Sequence, residues 1–375
     1  MKPGLAMMMF SVFLISFVTV MLVYVMWRIG SVPFVARHMA PKSIVLAAFI
    51  LWVIFVAGIV YGHQARGGVA LIFEYAGMTL MGMLLIMMVV FLAVDVFTGF
   101  GALMPRWTPR LRELALIAGL LMTLFAIFQG LRPPVVRSFS VASPDLPANL
   151  DGTRVVVMSD LHVGSILNPR WLTGRIKQVQ ALNPDMVILA GDILEGHDHR
   201  DHAALLSAFE LLAPPLGVWA VLGNHEFYRG KEKAIAFLEA AGIKVLRDRW
   251  VMPVPGLVVA GVDDLTFKYG RDGIARGVKK ALTGRPEGAT IFVSHTPWGS
   301  RAAAAAGVDL MVAGHTHGGQ IWPFGYLVQQ NYPLLAGRYD VNGMTVLVCR
   351  GTGTWGPRMR LWRPGEILHI TLGVS

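Results

Sequence analysis

Two rhythms of apolar and polar positions divide the chain near residue 131. Before that point, residues 3–27, 43–62, 75–94 and 114–131 are four runs without a single charged side chain. A bilayer core takes roughly 20 consecutive apolar residues per helix, so the runs predict four transmembrane helices. The first run is longer than the apolar core of a cleavable signal peptide, usually about 7–15 residues, and no small-residue cleavage site follows it. The methionines at 7–9 and 78–88 are expected to face lipid or packed helices. Glu74 and Asp95 bracket the third run and are expected at helix ends, where the membrane interface hydrates them.

After residue 131 the pattern changes. Residues 132–150, with Pro133, Pro134, Pro144 and Pro147, read as an extended proline-rich linker. Beyond it, short β-branched runs at 154–158, 186–190, 218–222, 257–260, 290–293, 310–313, 345–348 and 367–371 predict strands. Helical patterns at 169–182, 201–212 and 231–241 lie between the early ones. Strands alternating with helices imply a layered α/β domain over 151–375, its sheet buried on both faces.

The composition agrees with this division. The chain is 54% hydrophobic and only 15% charged, against about 25% charged in typical globular chains. Its first 131 residues hold eight Lys/Arg and three Asp/Glu. The single cysteine, Cys349, forms no intramolecular disulfide. A net charge of +10 suits an anionic membrane surface, and no basic patch interleaved with aromatics points to nucleic acid. Arg28, Arg37, Lys42, Arg106, Arg110 and Arg112 flank the first and third loops, against Lys2, Arg66, Arg132 and Arg137 on the other side. Positive loops stay in the cytoplasm, so this balance leans toward an extracytoplasmic C-terminal domain.

In α/β folds, ligand sites collect at the carboxyl ends of strands, and the polar motifs fall there. Asp160 and His162 follow the first predicted strand, Asp192 the second, and Asn224, His225 and Glu226 the third. His295 follows a later one, and His315 and His317 another. Asp160, His162, Asp192, Asn224, His295, His315 and His317 are oxygen or imidazole donors without a thiolate. Such a set suits Mn, Fe, Zn or similar divalent ions rather than a cysteine-based structural site. Seven donors exceed the needs of one ion but suit two that share a carboxylate, which nominates Asp192 as the bridge. In two-metal sites, ions about 3.5–4 Å apart bind the attacking and leaving oxygens of an in-line displacement, which is machinery for phosphoester hydrolysis. Any one of these motifs is matched by ordinary turn chemistry; five, each directly after an apolar strand, are not.

The ordered motifs Asp160-x-His162, Gly191-Asp192, Gly223-Asn224-His225-Glu226, His295 and Gly314-His315-x-His317 resemble the calcineurin-like metallophosphoesterases. A closer resemblance, to the bacterial membrane-associated phosphodiesterase branch, lies in residues 191–195, 222–228, 314–321 and 350–360. The resemblance implies a four-layer sandwich of two sheets flanked by helices, here preceded by the four-helix transmembrane region. It implies Asp160, His162 and His317 on one ion, Asn224, His295 and His315 on the other, and Asp192 on both. A hydroxide shared by the ions would attack phosphorus without a covalent enzyme intermediate. His225 matches the family histidine that stabilises the transition state or protonates the leaving group, work suited to a side chain with an ordinary pKa of about 6.5. Arg350, Arg358 and Arg360 are candidates for holding a phosphate oxygen.

Other polar features read as structural. Residues 197–202 suggest a solvated loop with Asp201 capping a helix, though His197 or Arg200 could touch substrate. Asp263 and Asp264 read as a turn. The function implied is a phosphodiesterase held in the bacterial inner membrane by several spans, acting on a lipid-linked or membrane-proximal phosphoester. A UDP-diacylglucosamine hydrolase of lipid A synthesis is the narrower alternative and would need a cytoplasmic site. A non-catalytic membrane sensor or scaffold is the other, and an intact donor set argues against it. A transporter is disfavoured by spans with almost no central charge.

Overall fold

A computed structural model describes residues 3–62, 67–195 and 202–375. The chain forms two compact units. The first comprises Met1–Arg132 together with two short segments from the second half, Ile321–Pro323 and Gly356–Trp362. Its helices are α1 (Pro3–Gly30), α2 (Pro33–His38), α3 (Pro41–Ala57), α4 (Gly68–Phe97) and α5 (Thr108–Leu131). Four stretches, Ser11–Gly30, Pro41–Gly62, Gly68–Phe97 and Thr108–Leu131, are long and apolar enough to cross a membrane. Apolar side chains such as Val45, Phe49, Ile72 and Leu121 point outward, as lipid contact requires. Small residues let helices approach: a Cβ on Gly58 would strike the Phe73 carbonyl, and Gly77 lies against Gly58.

Two acidic residues depart from expectation. Asp95, expected in the hydrated interface, is fully buried among α1, α4 and α5. Its carboxylate lies 2.5 Å from Arg28 Nε and 3.0 Å from Arg112 Nη2, and it accepts a 2.6 Å hydrogen bond from Tyr24. A lone carboxylate buried there would be costly, and two guanidinium groups converging from neighbouring helices compensate it. Glu74 is also buried. The segment Gly356–Trp362 is bound to the helices: Arg360 N–H donates to the Ala126 carbonyl at 2.9 Å, and Met359, Leu361 and Ile321 pack with Ile86 and Ala126.

The second unit contains two six-stranded sheets. The strands are β1 (Val135–Ser143), β2 (Arg154–Met158), β3 (Met186–Ala190), β4 (Val218–Val221), β5 (Lys244–Val245), β6 (Arg249–Val254), β7 (Leu257–Gly261), β8 (Ala289–Val293), β9 (Leu310–Ala313), β10 (Gly337–Val341), β11 (Met344–Val348) and β12 (Glu366–Val374). One sheet runs β1-β12-β2-β3-β4-β5 and the other β10-β11-β9-β8-β7-β6. The helices are α6 (Pro169–Gln180), α7 (His202–Glu210), α8 (Asn224–Arg229), α9 (Lys231–Ala240), α10 (Gly270–Leu282), α11 (Ser300–Ala305) and α12 (Gly325–Asn331).

Alternation along the central strands builds four layers. Val155 and Val157 of β2 join Ile188, Val259, Ile291 and Val312 in a core between the sheets. Val156 and Met158 face the other way, onto Leu172 and Ile176 of α6 and Phe209 of α7. Phe292 and Met311 pack outward against Val278 and Ala281 of α10 and Ala303 of α11. Both sheet faces are covered, so the central strands are continuous apolar runs. The stretch expected as a linker is only partly one: β1 pairs in parallel with β12 from Val135 to Ser143, and residues 132–134 alone separate α5 from β1. The main-chain donors and acceptors of that stretch are thereby paired in the sheet.

Candidate metal centre

The sheets bring their carboxyl-terminal ends to one place. Asp160 and His162 follow β2, Asp192 follows β3, and Asn224 opens α8 just after β4. From the other sheet, His295 follows β8, and His315 and His317 follow β9. Asp160, His162, Asp192, His315 and His317 have φ between 45° and 72°, a left-handed conformation costly for residues with a Cβ. Cross-strand hydrogen bonds hold them there: Asp160 N–H to the Gly191 carbonyl at 3.0 Å, and His162 N–H to the Asp192 carbonyl at 3.0 Å. The His315 N–H donates to the Asp160 carboxylate at 3.0 Å, tying the sheets together. Gly223 must lack a side chain, because a Cβ there would collide with the Asp192 carboxylate.

All seven donors nominated from the sequence are brought together. Three overlapping groups have ligand atoms within 4.8 Å of one another: Asp160, His162 and His317; His162, Asp192 and His225; Asp192, His295 and His315. Asn224 joins the third through Oδ1, 3.2 Å from His295 Nε2. Asp192 belongs to two of the groups, its Oδ2 3.2 Å from His295 Nε2 and 3.8 Å from His162 Nε2.

Partners on the far side of the imidazoles decide which ring nitrogens face inward. His295 Nδ1 donates to the Ala190 carbonyl at 2.9 Å, and His162 Nδ1 donates to Glu195 at 2.7 Å, leaving each Nε2 turned to the centre. His315 Nε2 lies 2.8 Å from the Tyr332 hydroxyl, leaving Nδ1 inward. Imidazole nitrogens thus face one another, His162 Nε2 and His317 Nε2 at 3.2 Å and His315 Nδ1 and His295 Nε2 at 3.1 Å. Lone pairs converging this way suit a cation, and such outer hydrogen bonds orient metal-binding histidines. Replacing Tyr332 by Phe should therefore weaken divalent-ion binding about tenfold without unfolding the chain. Titrating the stripped variant with Mn(II) reads this directly; unchanged affinity would show that the hydroxyl does not orient His315.

The charges point the same way. Asp160, Asp192 and Asp264 are buried, and among the described residues none pairs with a Lys or Arg. Elsewhere buried acids are matched: Asp263 pairs with Arg247 at 3.0 Å and Lys268 at 2.7 Å, and Glu366 with Arg350 at 2.6 Å. Burial pushes the Asp160 carboxyl upward. Burial acts likewise on Asp192, but the imidazoles of His295 and His225 outweigh it and hold that carboxyl well below the usual range. Burial alone would lower His295, yet the adjoining Asp192 holds its imidazolium well above the ordinary value. Burial and then the His295 charge push His315 down to about 3, so that ring is neutral and free to donate a lone pair. A protonated His295 stands where a divalent cation would supply the missing positive charge, and the residues fit such an ion.

Two acids that the sequence reading left without roles organise the centre. Glu195 Oε2 accepts from His162 Nδ1 at 2.7 Å, which orients that ring, and lies 3.0 Å from His225 Nδ1. Glu226 is buried and accepts four backbone N–H groups, from Asp192 at 3.1 Å, Ile193 at 2.8 Å, Leu194 at 3.0 Å and Gly223 at 2.7 Å. It thereby fastens the Asp192 loop to the Asn224 loop. Burial and the Asp192 charge push the Glu226 carboxyl up to about 7, against the pull of those donors.

The candidate arginines are placed differently. Arg350 is held by Glu366, its Nη2 2.6 Å and its Nε 2.8 Å from Oε2. Arg358 and Arg360 lie in the segment that belongs to the helical unit, with Arg360 buried. Asp263 and Asp264 are fully buried rather than in an open turn, and the Asp264 carboxylate caps the turn at Leu265–Tyr269 by accepting from Phe267 N–H at 2.7 Å. Residues 197–201, including His197, Arg200 and Asp201, lie outside the described residues.

Residues 153–319 match the family described as calcineurin-like phosphoesterase. An uncharacterized metallophosphoesterase of Campylobacter jejuni is 31% identical over 271 residues, covering 69% of this chain and 69% of that protein. A zebrafish protein described as a transmembrane protein with a metallophosphoesterase domain is 33% identical over 274 residues, covering 69% of this chain and 62% of its own length. An uncharacterized metallophosphoesterase of Aquifex aeolicus is 32% identical over 257 residues, which are 63% of this chain and 91% of that one.

Proposed function

The chain belongs to the calcineurin-like metallophosphoesterase family, and from that premise we propose that it is a membrane-anchored phosphodiesterase working with two divalent ions. The observation that supports this most is the convergence of seven donors from two sheets around Asp192, with no Lys or Arg among the described residues to balance the buried Asp160 and Asp192 carboxylates. Asp160, His162 and His317 would hold one ion, Asn224, His295 and His315 the other, and Asp192 both. Bound there, the ions would stabilise charge on a phosphoryl group and make water acidic enough to ionise near neutral pH.

The remaining chemistry falls to the protein. The His225 backbone N–H donates to Asp192 Oδ1 at 2.9 Å, Glu195 Oε2 lies 3.0 Å from the ring Nδ1, and Nε2 faces the centre, 4.0 Å from Asp192 Oδ2. An imidazolium at this position would pass its Nε2 proton to the leaving oxygen. His225→Asn should then lower kcat about 100-fold for an alkyl phosphodiester, and far less for bis(4-nitrophenyl) phosphate, whose leaving group needs no proton. Equal losses on both would contradict proton donation by His225.

Four apolar helices on the same chain support a lipid-linked or membrane-proximal phosphoester as substrate. A panel of lipid and nucleotide phosphodiesters, offered to the full chain loaded with Mn(II), Zn(II) or Mg(II), tests this. Turnover of soluble nucleotides alone would contradict it. The loop charges favour an extracytoplasmic domain in a bacterial inner membrane, and protease added to intact spheroplasts should then digest it.

A further inference from the structure

α12 is unusual for the surface of a sheet domain: none of its residues is buried. Phe324, Tyr326 and Leu327 are 42%, 67% and 58% exposed. Among the described residues of the sheet unit, no other four-residue stretch exposes three large apolar side chains. Single exposed hydrophobes are ordinary, whereas a cluster marks a contact surface.

The helix is fixed to the metal-bearing loop at both ends. At its start, a Cβ on Gly319 would collide with the backbone of Gly325, so only glycine permits the approach. Beyond its end, the Tyr332 hydroxyl meets His315 at 2.8 Å, and Trp298 stacks on the Tyr332 ring at 5.2 Å. The exposed residues therefore belong to a segment tethered to the loop that carries His315 and His317.

We propose that Phe324, Tyr326 and Leu327 form a bilayer-contacting face beside the metal centre, through which it takes phosphoesters anchored in the interfacial layer. The substrate half of this proposal rests on the hydrolase reading above; the contact itself does not. Residues 322–328 are Trp-Pro-Phe-Gly-Tyr-Leu-Val, without a charge. Aromatic rings with one polar edge prefer the boundary between headgroups and acyl chains. Chain continuity supplies the occupant: Ile321–Pro323, immediately before this face, belongs to the helical unit, where Ile321 packs with Ile86 and Ala126 of the apolar helices. A bilayer crossed by those helices would be the apolar phase nearest to this face along the chain. A lipid held there by its acyl chains would present its phosphoester to the loop carrying His315 without leaving the membrane.

The test uses the full chain in proteoliposomes. Cys349 is buried, so Tyr326→Cys can be labelled selectively with an environment-sensitive fluorophore, with Glu239→Cys on α9 as the control. Phosphatidylcholine carrying a spin label just below the headgroup should quench the probe at position 326 about twofold more than the control. A probe in water and unquenched overturns the proposal. So does a probe shielded from water yet unquenched, because a protein surface, such as a second copy, would then cover the face. In a second arm, Tyr326→Ser with Leu327→Ser should lower kcat/KM about tenfold for a phosphodiester lipid in vesicles, leaving bis(4-nitrophenyl) phosphate unchanged. Equal rates on both substrates overturn the substrate half. Absence of any hydrolysis would count against the hydrolase reading, while the quenching result would still decide the contact.

Discussion

Asp192→Asn should reduce kcat/KM for bis(4-nitrophenyl) phosphate by at least about 1000-fold while leaving the circular dichroism of the chain unchanged. The substitution keeps the shape of the side chain and removes the one charge common to two donor groups. It also turns an amide toward His295 Nε2, 3.2 Å away, or toward the His225 N–H that now donates to Oδ1 at 2.9 Å. In one orientation the inward lone pair is lost, in the other the acceptor for His225 N–H, and in both the negative charge is gone. Two ions would then lack the carboxylate that offsets their mutual repulsion. Activity within tenfold of the unmodified chain would mean that Asp192 does not bridge.

The second large effect is on stability. Glu226→Ala would leave four buried backbone N–H groups, on Asp192, Ile193, Leu194 and Gly223, without their acceptor. Each unsatisfied buried donor costs about 1–3 kcal/mol, so even with partial relaxation the loss should reach about 4 kcal/mol. Thermal unfolding of the full chain in detergent should show Tm lower by roughly 10 °C. Glu226→Gln should fall between, since one carbonyl oxygen serves two donors while its NH2 faces the others. A Tm within about 2 °C of the unmodified chain would show that water replaces the carboxylate and that Glu226 does not fasten the loops.

What could be read in the sequence follows from where each signal resides. The eight strands legible as apolar runs include every interior strand of both sheets, because a strand covered on two faces carries almost no polar residue. The four strands not recognised, β1, β5, β6 and β10, are the four sheet edges. Their partly exposed residues alternate or mix with polar ones, as in Gly337–Val341, and β5 has only two residues. The seven candidate donors were legible because each stands just past a buried strand, where a polar side chain has no packing reason to be. Glu195 and Glu226 lay within recognised motifs, but their roles depend on loops converging in three dimensions. Tyr332 followed no motif at all.

Two pairings hidden from the sequence share that cause. Asp95 looked like an interfacial residue because a linear sequence does not show Arg28 and Arg112 arriving from other helices. Arg350 looked available to phosphate because its partner, Glu366, opens a strand 16 residues later. Chemistry borne by strand ends was therefore readable, whereas chemistry borne by pairing across elements was not.

The most direct test of the account is the number of ions the chain holds. Full-length protein, stripped with a chelator and titrated calorimetrically with Mn(II), should bind two ions per chain, with proton release as His295 gives up its charge. A stoichiometry of one, or no binding, would mean that the seven converging side chains do not form a two-ion centre.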